Sequence, residues 1–190
     1  MINDYAELIA EASQRTGVTD VASRARMCVG MAEKALSKQL RVADMETETT
    51  LTTDSLGRAD LPDDYIAARA VFVNTAELPR QSLSQIRQGR ACGYVIQGSA
   101  LQSSEAETAH DLAYYAAIPS LEENDTNWLL EAEPELYLHA VIFQIHTAMN
   151  DLEKAQVTAG YVGLLIEGLL QSDRVARFAG MKIAVPGAPA

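Results

Sequence analysis

The sequence predicts an α+β fold, with a helix pair at the start, a small, mostly antiparallel sheet in the middle and a long-helix pair toward the end. Three observations predict it. Apolar residues recur at helical spacing through the first forty residues. From Met45 the period drops to alternation in a Thr-rich run, and from Pro134 to Phe178 helical spacing returns.

The N-terminal elements come first. Asn3 is placed to cap a helix over 4–16, in which Tyr5, Leu8, Ile9 and Ala12 share a face, and Gly17 is its expected stop. Thr19 or Asp20 caps a second helix over 20–40. Its stripe runs through Val21, Cys28, Met31, Ala32, Ala35, Leu36 and Leu40, so it packs on one side.

The sheet region spans 45–118. Met45 to Thr53 alternates like a strand, Asp54-Ser55-Leu56-Gly57 is a turn signal, and Arg58 to Leu61 returns as a second strand. Pro62-Asp63-Asp64 breaks the run, and Ala67 to Asn74 is a third strand. Ser82 to Gln88 reads as a short helix ended by Gly89. Tyr94-Val95-Ile96 and Ala100-Leu101 flank a hairpin turn at Gln97-Gly98-Ser99. Asp111 to Ala117 is a further strand, closed by Pro119.

Helix then resumes. Thr126 caps a short turn holding Trp128, Leu129 and Leu130. Pro134 suits the first turn of a helix over 134–149, carrying Leu136, Tyr137, Ala140, Val141, Gln144, Ile145 and Met149. Asn150-Asp151 is a corner. A last helix over 152–178 places Tyr161, Leu164, Leu165, Gly168 and Leu169 on one face, with Gly180 ending it. Residues 1–180 are thus expected to form a single domain, and 181–190, with Pro186 and Pro189, an extended tail.

Composition narrows the function. With 48% apolar and 22% charged residues, 190 residues suffice for a packed core. A net charge of −11 opposes tight binding to a polyanion, since affinity for DNA comes largely from Lys and Arg displacing counterions. The segment from Ser103 to Glu135 holds acids but no Lys or Arg, which reads as a solvated acidic face or as an interface or lumen patch. Cys28 and Cys92 have no C-x-x-C partner, so neither a disulfide framework nor a zinc knuckle is indicated. The N-terminus has no basic start followed by an apolar core, so no signal peptide is expected, and Tyr161 to Leu170 is too short to span a membrane.

Catalytic signatures are missing. There is no G-x-S-x-G elbow, P-loop or G-x-G-x-x-G. His139 and His146 lie seven apart on a helix, whereas helical metal ligands usually sit four apart; Glu135 precedes His139 by four. His110 and Asp111 adjoin in a strand and point to opposite faces. The expectation is no enzyme, no metal and no cofactor. Gly160, Gly163 and Gly168 inside the last helix cost helix stability, which points to close packing against a helix of the same domain or against a neighbouring subunit. Trp128, the one tryptophan, is a core anchor or an interface hot spot.

Particular segments carry a resemblance. They are Tyr5-Ala6-Glu7-Leu8-Ile9, Val21-Ala22-Ser23-Arg24-Ala25, Ala32-Glu33-Lys34-Ala35-Leu36 and Leu40-Arg41-Val42-Ala43-Asp44-Met45-Glu46-Thr47. Leu61-Pro62-Asp63-Asp64-Tyr65-Ile66, Tyr114-Tyr115-Ala116-Ala117-Ile118-Pro119-Ser120-Leu121, Asn124-Asp125-Thr126-Asn127-Trp128-Leu129-Leu130 and Pro134-Glu135-Leu136-Tyr137-Leu138 follow in order. Together the chain resembles the head-to-tail connector (adaptor) proteins of tailed bacteriophages. The loop Ala91-Cys92-Gly93 and the acidic strip Ser104 to Asp111 match no motif of that family.

The resemblance implies a structural virion protein at the head-tail interface, with no catalysis, cofactor or membrane. Such adaptors form a homo-oligomeric ring, usually twelvefold, under the portal protein, receive a stopper or tail-completion protein at the opposite end, and let DNA pass through a central channel without specific binding. It further implies that the C-terminal segment binds the portal. Arg174, Arg177, Phe178, Met181, Lys182, Ile183, Val185 and Pro186 suit that role, combining apolar anchors with a local basic bias in an acidic chain. The alternatives are another head-completion or stopper-like connector, commonly richer in β-structure, and a small soluble α+β binding domain.

Overall fold

The structure, a computed structural model, describes residues 2–18 and 21–179, with 21–23 described by their backbone alone. The helices are α1 (Tyr5–Thr16), α2 (Val21–Gln39), α3 (Leu83–Arg87), α4 (Leu121–Asn124), α5 (Trp128–Ala132), α6 (Pro134–Ala148) and α7 (Leu152–Phe178). The strands are β1 (Glu46–Thr52), β2 (Arg58–Asp60), β3 (Tyr65–Val73), β4 (Ala76–Glu77), β5 (Tyr94–Gln97), β6 (Ala100–Ser103) and β7 (Ala109–Ala116). This is the expected α+β class. The chain divides into two compact units, one of residues 1–32 and 129–190 and one of residues 33–128, so α2 and α5 each contribute to both.

The helical unit is built around α6. Leu136, Tyr137, Leu138, Ala140, Val141, Ile142, Ile145 and His146 are all buried, a helix apolar nearly all round and therefore enclosed by others. α1 and α7 both pack on it. Pro134 sits in the first turn as expected, where its missing N–H costs nothing. The corner at Asn150 needs a left-handed backbone, φ 60°, which Asn tolerates better than most residues.

Three local expectations are corrected here. The cap of α1 is Asp4, whose carboxylate accepts the Glu7 N–H at 2.8 Å, while Asn3 donates its own N–H to the Glu7 carboxylate. Gly17 does end the helix, in the left-handed conformation. On α2 the buried apolar positions are Ala25, Cys28, Val29, Ala32 and Leu36, with Leu40 just beyond its end, while Met31 is 50% exposed. Thr19 and Asp20 lie outside the described residues. On α7 the buried face is Ala155, Thr158 and Ile166, not Tyr161, Leu164 and Gly168, which are exposed. The longer apolar side chains on α7 drew that assignment. The helix buries its small Ala155 and Thr158 instead, where α6 lies close.

The β unit holds two antiparallel sheets, ordered β1-β7-β3-β4 and β2-β6-β5, rather than one. The turn after β1 is where the sequence expected it. The Asp54 carboxylate accepts the N–H groups of Leu56 and Arg58, each at 2.8 Å, and Gly57 takes φ 74°. β2 does not fold back on β1, however. It pairs with β6, while β1 pairs along its whole length with β7. Two long-range ladders outbid the local hairpin. Val71, Val73, Leu112 and Tyr114 of the larger sheet and Tyr94 and Leu101 of the smaller one form a shared apolar core.

Two polar residues of α2 hold the chain leaving β7. The Ser37 hydroxyl accepts the Ile118 N–H at 3.0 Å, and the buried Glu33 carboxylate accepts the Leu121 N–H at 2.9 Å. The spacing of four puts both on one helix face, where they satisfy backbone donors that would otherwise be buried unpaired.

Candidate functional site

α7 is 27 residues long and begins with Asp151, whose carboxylate accepts the Lys154 N–H. The Lys154 ammonium, and then that backbone hydrogen bond, hold the Asp151 carboxyl below its usual range. Beyond its α6-facing side the helix is open. Val157 is 73% exposed, Leu164 66%, Val175 66% and Phe178 65%. Taken at 100° per residue, Val157, Tyr161, Leu164, Gly168, Val175 and Phe178 fall on one side of the helix. A long apolar stripe left in solvent is uncommon and marks a surface that meets a partner.

The three glycines of α7 belong to this open side. A Cβ built on Gly160, Gly163 or Gly168 would meet nothing within 4 Å. Among the described residues no side chain or backbone packs over these glycines. Trp128 opens α5 half-buried. Arg174 is exposed on the penultimate turn of α7, and Arg177 reaches Asp173 at 2.5 Å. Met181, Lys182, Ile183, Val185 and Pro186 lie outside the described residues.

Around the middle of α6 a small polar group joins three helices. Arg15 Nη1 of α1 lies 3.5 Å from His139 Nε2. The His139 ring stands edge-on to Tyr161, centroids 4.5 Å apart, and Tyr161 donates to Glu135 at 3.4 Å. Glu11 accepts from Arg15 at 2.7 Å. Burial, and then the Arg15 guanidinium, push the His139 pKa below 6.5, with Glu135 opposing. The unfolded chain therefore takes up this proton at a higher pH than the folded one. The stability tied to His139 is complete above about pH 6.5 and is lost as pH falls through the lower folded value. Urea midpoints measured against pH should decline on the acid side, and His139→Gln should remove that part of the decline.

In the β unit, Glu46, Glu48 and Thr50 of β1 lie opposite Tyr115, Ala113 and Asp111 of β7, which in turn face Ala67, Ala70 and Phe72 of β3. These side chains form the outer face of the larger sheet, turned away from its core. Over the small Ala70 and Ala113 lies an open depression of 610 Å³, lined also by Glu46, Glu48, Arg69 and Phe72. Its rim is charged. Arg69 is ion-paired with Glu46, and Thr50 donates to Asp111 at 2.7 Å.

The inner face carries a polar pair that sequence reasoning missed. His110 is fully buried, with Nδ1 2.9 Å from the Thr108 carbonyl and Nε2 2.7 Å from Ser103 Oγ. A carbonyl only accepts, so Nδ1 carries a proton and donates it to Thr108. Ser103 Oγ also accepts the Glu105 N–H at 3.1 Å. The serine and the histidine sit seven residues apart on consecutive strands of different sheets, so only the tertiary structure reveals the pair. Both are buried with their bonds internal, and the pair pins the acidic loop 104–108. Asp111 points outward, as strand alternation requires.

Cys28 is buried in α2, which pushes its thiol pKa up, and Cys92 is exposed. Among the described residues no three His, Cys, Asp or Glu side chains converge on a metal-sized site. No helix among them is long and apolar enough to cross a membrane.

What the structure offers is a set of surfaces, an unpartnered helix stripe and an acid-rimmed sheet face, and that defines a protein that works by assembling with others. The chain belongs to the SU10 adaptor protein family, which matches residues 3–183 and so takes in both units and the start of the tail. It is a phage adaptor, a structural virion protein. No curated protein matches it.

Proposed function

We propose that this chain is the head-to-tail adaptor of a tailed phage, forming a ring, usually twelvefold in such adaptors, between the portal and a stopper or tail-completion protein. In this reading residues 1–180 are the adaptor body, and 181–190, with Arg174, Arg177 and Phe178 before them, reach the portal. DNA passes through the centre and is not gripped, consistent with a net charge of −11. The role is structural, with no substrate and no cofactor.

The observation that carries this reading is the α7 stripe. Glycines with empty space above them sit beside exposed Val157 and Leu164 on a helix that is otherwise well formed. Small residues let a neighbouring backbone come close. Gly160, Gly163 and Gly168 are therefore the candidate subunit contact, with Trp128 as a further candidate.

Alanine at these three glycines separates fold from assembly. Each change should raise helix stability by about 1 kcal/mol, since nothing blocks the added methyl. The triple variant should melt higher than the parent yet lose ring formation. A triple variant that still assembles normally would remove the glycines from the interface. The function itself is tested by electron microscopy of the purified chain, alone and mixed with the portal protein of the same phage. Rings coaxial with portals are expected, and a monodisperse monomer in both samples would overturn the reading.

A further inference from the structure

The outer face of α2 is basic in an acidic chain. Arg24, Met27, Met31, Lys34 and Lys38 fall within an arc of about 80° and run about 21 Å along the helix. All five are exposed, Met27 by 53% and Met31 by 50%. The arc lies opposite Ala25, Val29 and Leu36, which are buried. Glu33, the one acid of α2, is buried and accepts the Leu121 N–H, so the exposed charges of this helix are all positive. Lysines and arginines alone would make an ordinary solvated face. Two open methionines among them make a surface that can repack against an aromatic partner. The corner between α4 and α5 has the opposite character. Glu123 and Asp125 are exposed, Trp128 is half-buried, and no Lys or Arg occurs from Ser103 to Glu135. Ser120 caps α4 and Asn127 donates to the Pro119 carbonyl at 2.7 Å, which holds the corner in shape. Arg26 falls on the Glu33 side of α2, where Leu121 begins α4. Counted against Glu122, Glu123 and Asp125, it leaves the corner acidic.

We infer that the outer face of α2 in one copy docks on the α4–α5 corner of a second copy, Lys34 and Lys38 meeting Glu123 and Asp125 while the methionines pack on Trp128. The inference rests on the ring reading and names a charged contact within it. One copy cannot satisfy itself. Glu33, which holds the head of α4, lies about 140° round the helix from the middle of the basic arc. The contact joins two different patches and is therefore heterologous, the kind that closes rings. Two basic faces repel each other, as do two acidic corners, which disfavours a face-to-face dimer. Duplex DNA would also meet a basic face. It offers the methionines nothing, however, and a chain of net charge −11 approaches it against repulsion.

The test is a charge swap in the full chain, read as the fraction of portals that carry a ring in electron micrographs at low salt. Lys34→Glu with Lys38→Glu should lower that fraction about tenfold or more, and so should Glu123→Lys with Asp125→Asn. Asn is used at 125 because the backbone there has φ 56°. All four changes in one chain should restore assembly to within about twofold of the parent. Lys34→Gln with Lys38→Gln, which removes the charge without reversing it, should give a smaller loss in the same direction. Melting temperatures should match the parent throughout, since these side chains are exposed. Two-site variants that assemble like the parent, or a four-site variant that assembles no better than they do, would overturn the pairing. Loss of duplex binding with assembly intact would overturn it as well and give the face to DNA. The parent chain separates the failures. Rings on portals without rescue would sink this contact alone, while no ring under any condition would sink it together with the ring reading.

Discussion

Removing residues 181–190 is expected to abolish decoration of portals by this chain while leaving its melting temperature unchanged. Every buried apolar residue among the described ones lies between Leu8 and Ile166. The tail has the makings of a ligand instead. Met181, Ile183 and Val185 alternate with Lys182 and Ala184, and an extended backbone would set three apolar side chains on one side. Loss of such anchors should weaken portal binding about 100-fold or more. Sedimentation of portals with full-length and truncated chains checks this directly. Portals that carry the truncated chain at full occupancy would move the docking role to another surface.

Gly93→Ala is expected to destabilise the β unit by about 3 kcal/mol, enough to shift its melting temperature by several degrees or more. Gly93 has φ 149°, which disfavours any side chain. An added Cβ would lie 2.3 Å from the Pro79 carbonyl and 2.6 Å from Gln81 Cγ. The Pro79 carbonyl cannot withdraw. Gly93 accepts the Ser104 N–H and donates its own N–H to Ser104 Oγ, both at 2.9 Å, and Tyr94 donates to the Pro79 carbonyl at 3.1 Å. Urea titration of the variant against the parent measures the loss. A variant as stable as the parent would mean that the loop 79–81 yields, and that its bonds contribute little.

This loop also shows where the family resemblance stopped and geometry took over. Ala91-Cys92-Gly93 and the strip Ser104 to Asp111 matched no adaptor motif. In the structure they meet, with Gly93 bonded to Ser104 while His110 and Ser103 fix the strip from beneath. Their partners lie across strands, so no local spacing exposes them.

Other parts were legible. The short helix Leu83–Arg87 carries its own signal, Ser82 and Gln85 capping each other, and Gly98 marks the β5–β6 turn through its φ of 62°. α7 has the limits expected, 152–178, because Asp151 caps it and the corner before it needs Asn150. The glycines of α7 stood out in the sequence, yet two readings of them remained until the space around each was known.

The sequence by itself determined most of the elements, though not β4 or α4, along with their order and the α+β class, because period, caps and turn residues act within a few positions of the chain. It also carried the family, through segments spread over most of its length. Only the tertiary structure decided that β2 leaves β1 for β6, that His110 pairs with Ser103, and which side of α7 is covered. Those outcomes depend on contacts between residues distant in sequence, where burial and backbone pairing favour the arrangement that satisfies the whole unit over the one nearest along the chain.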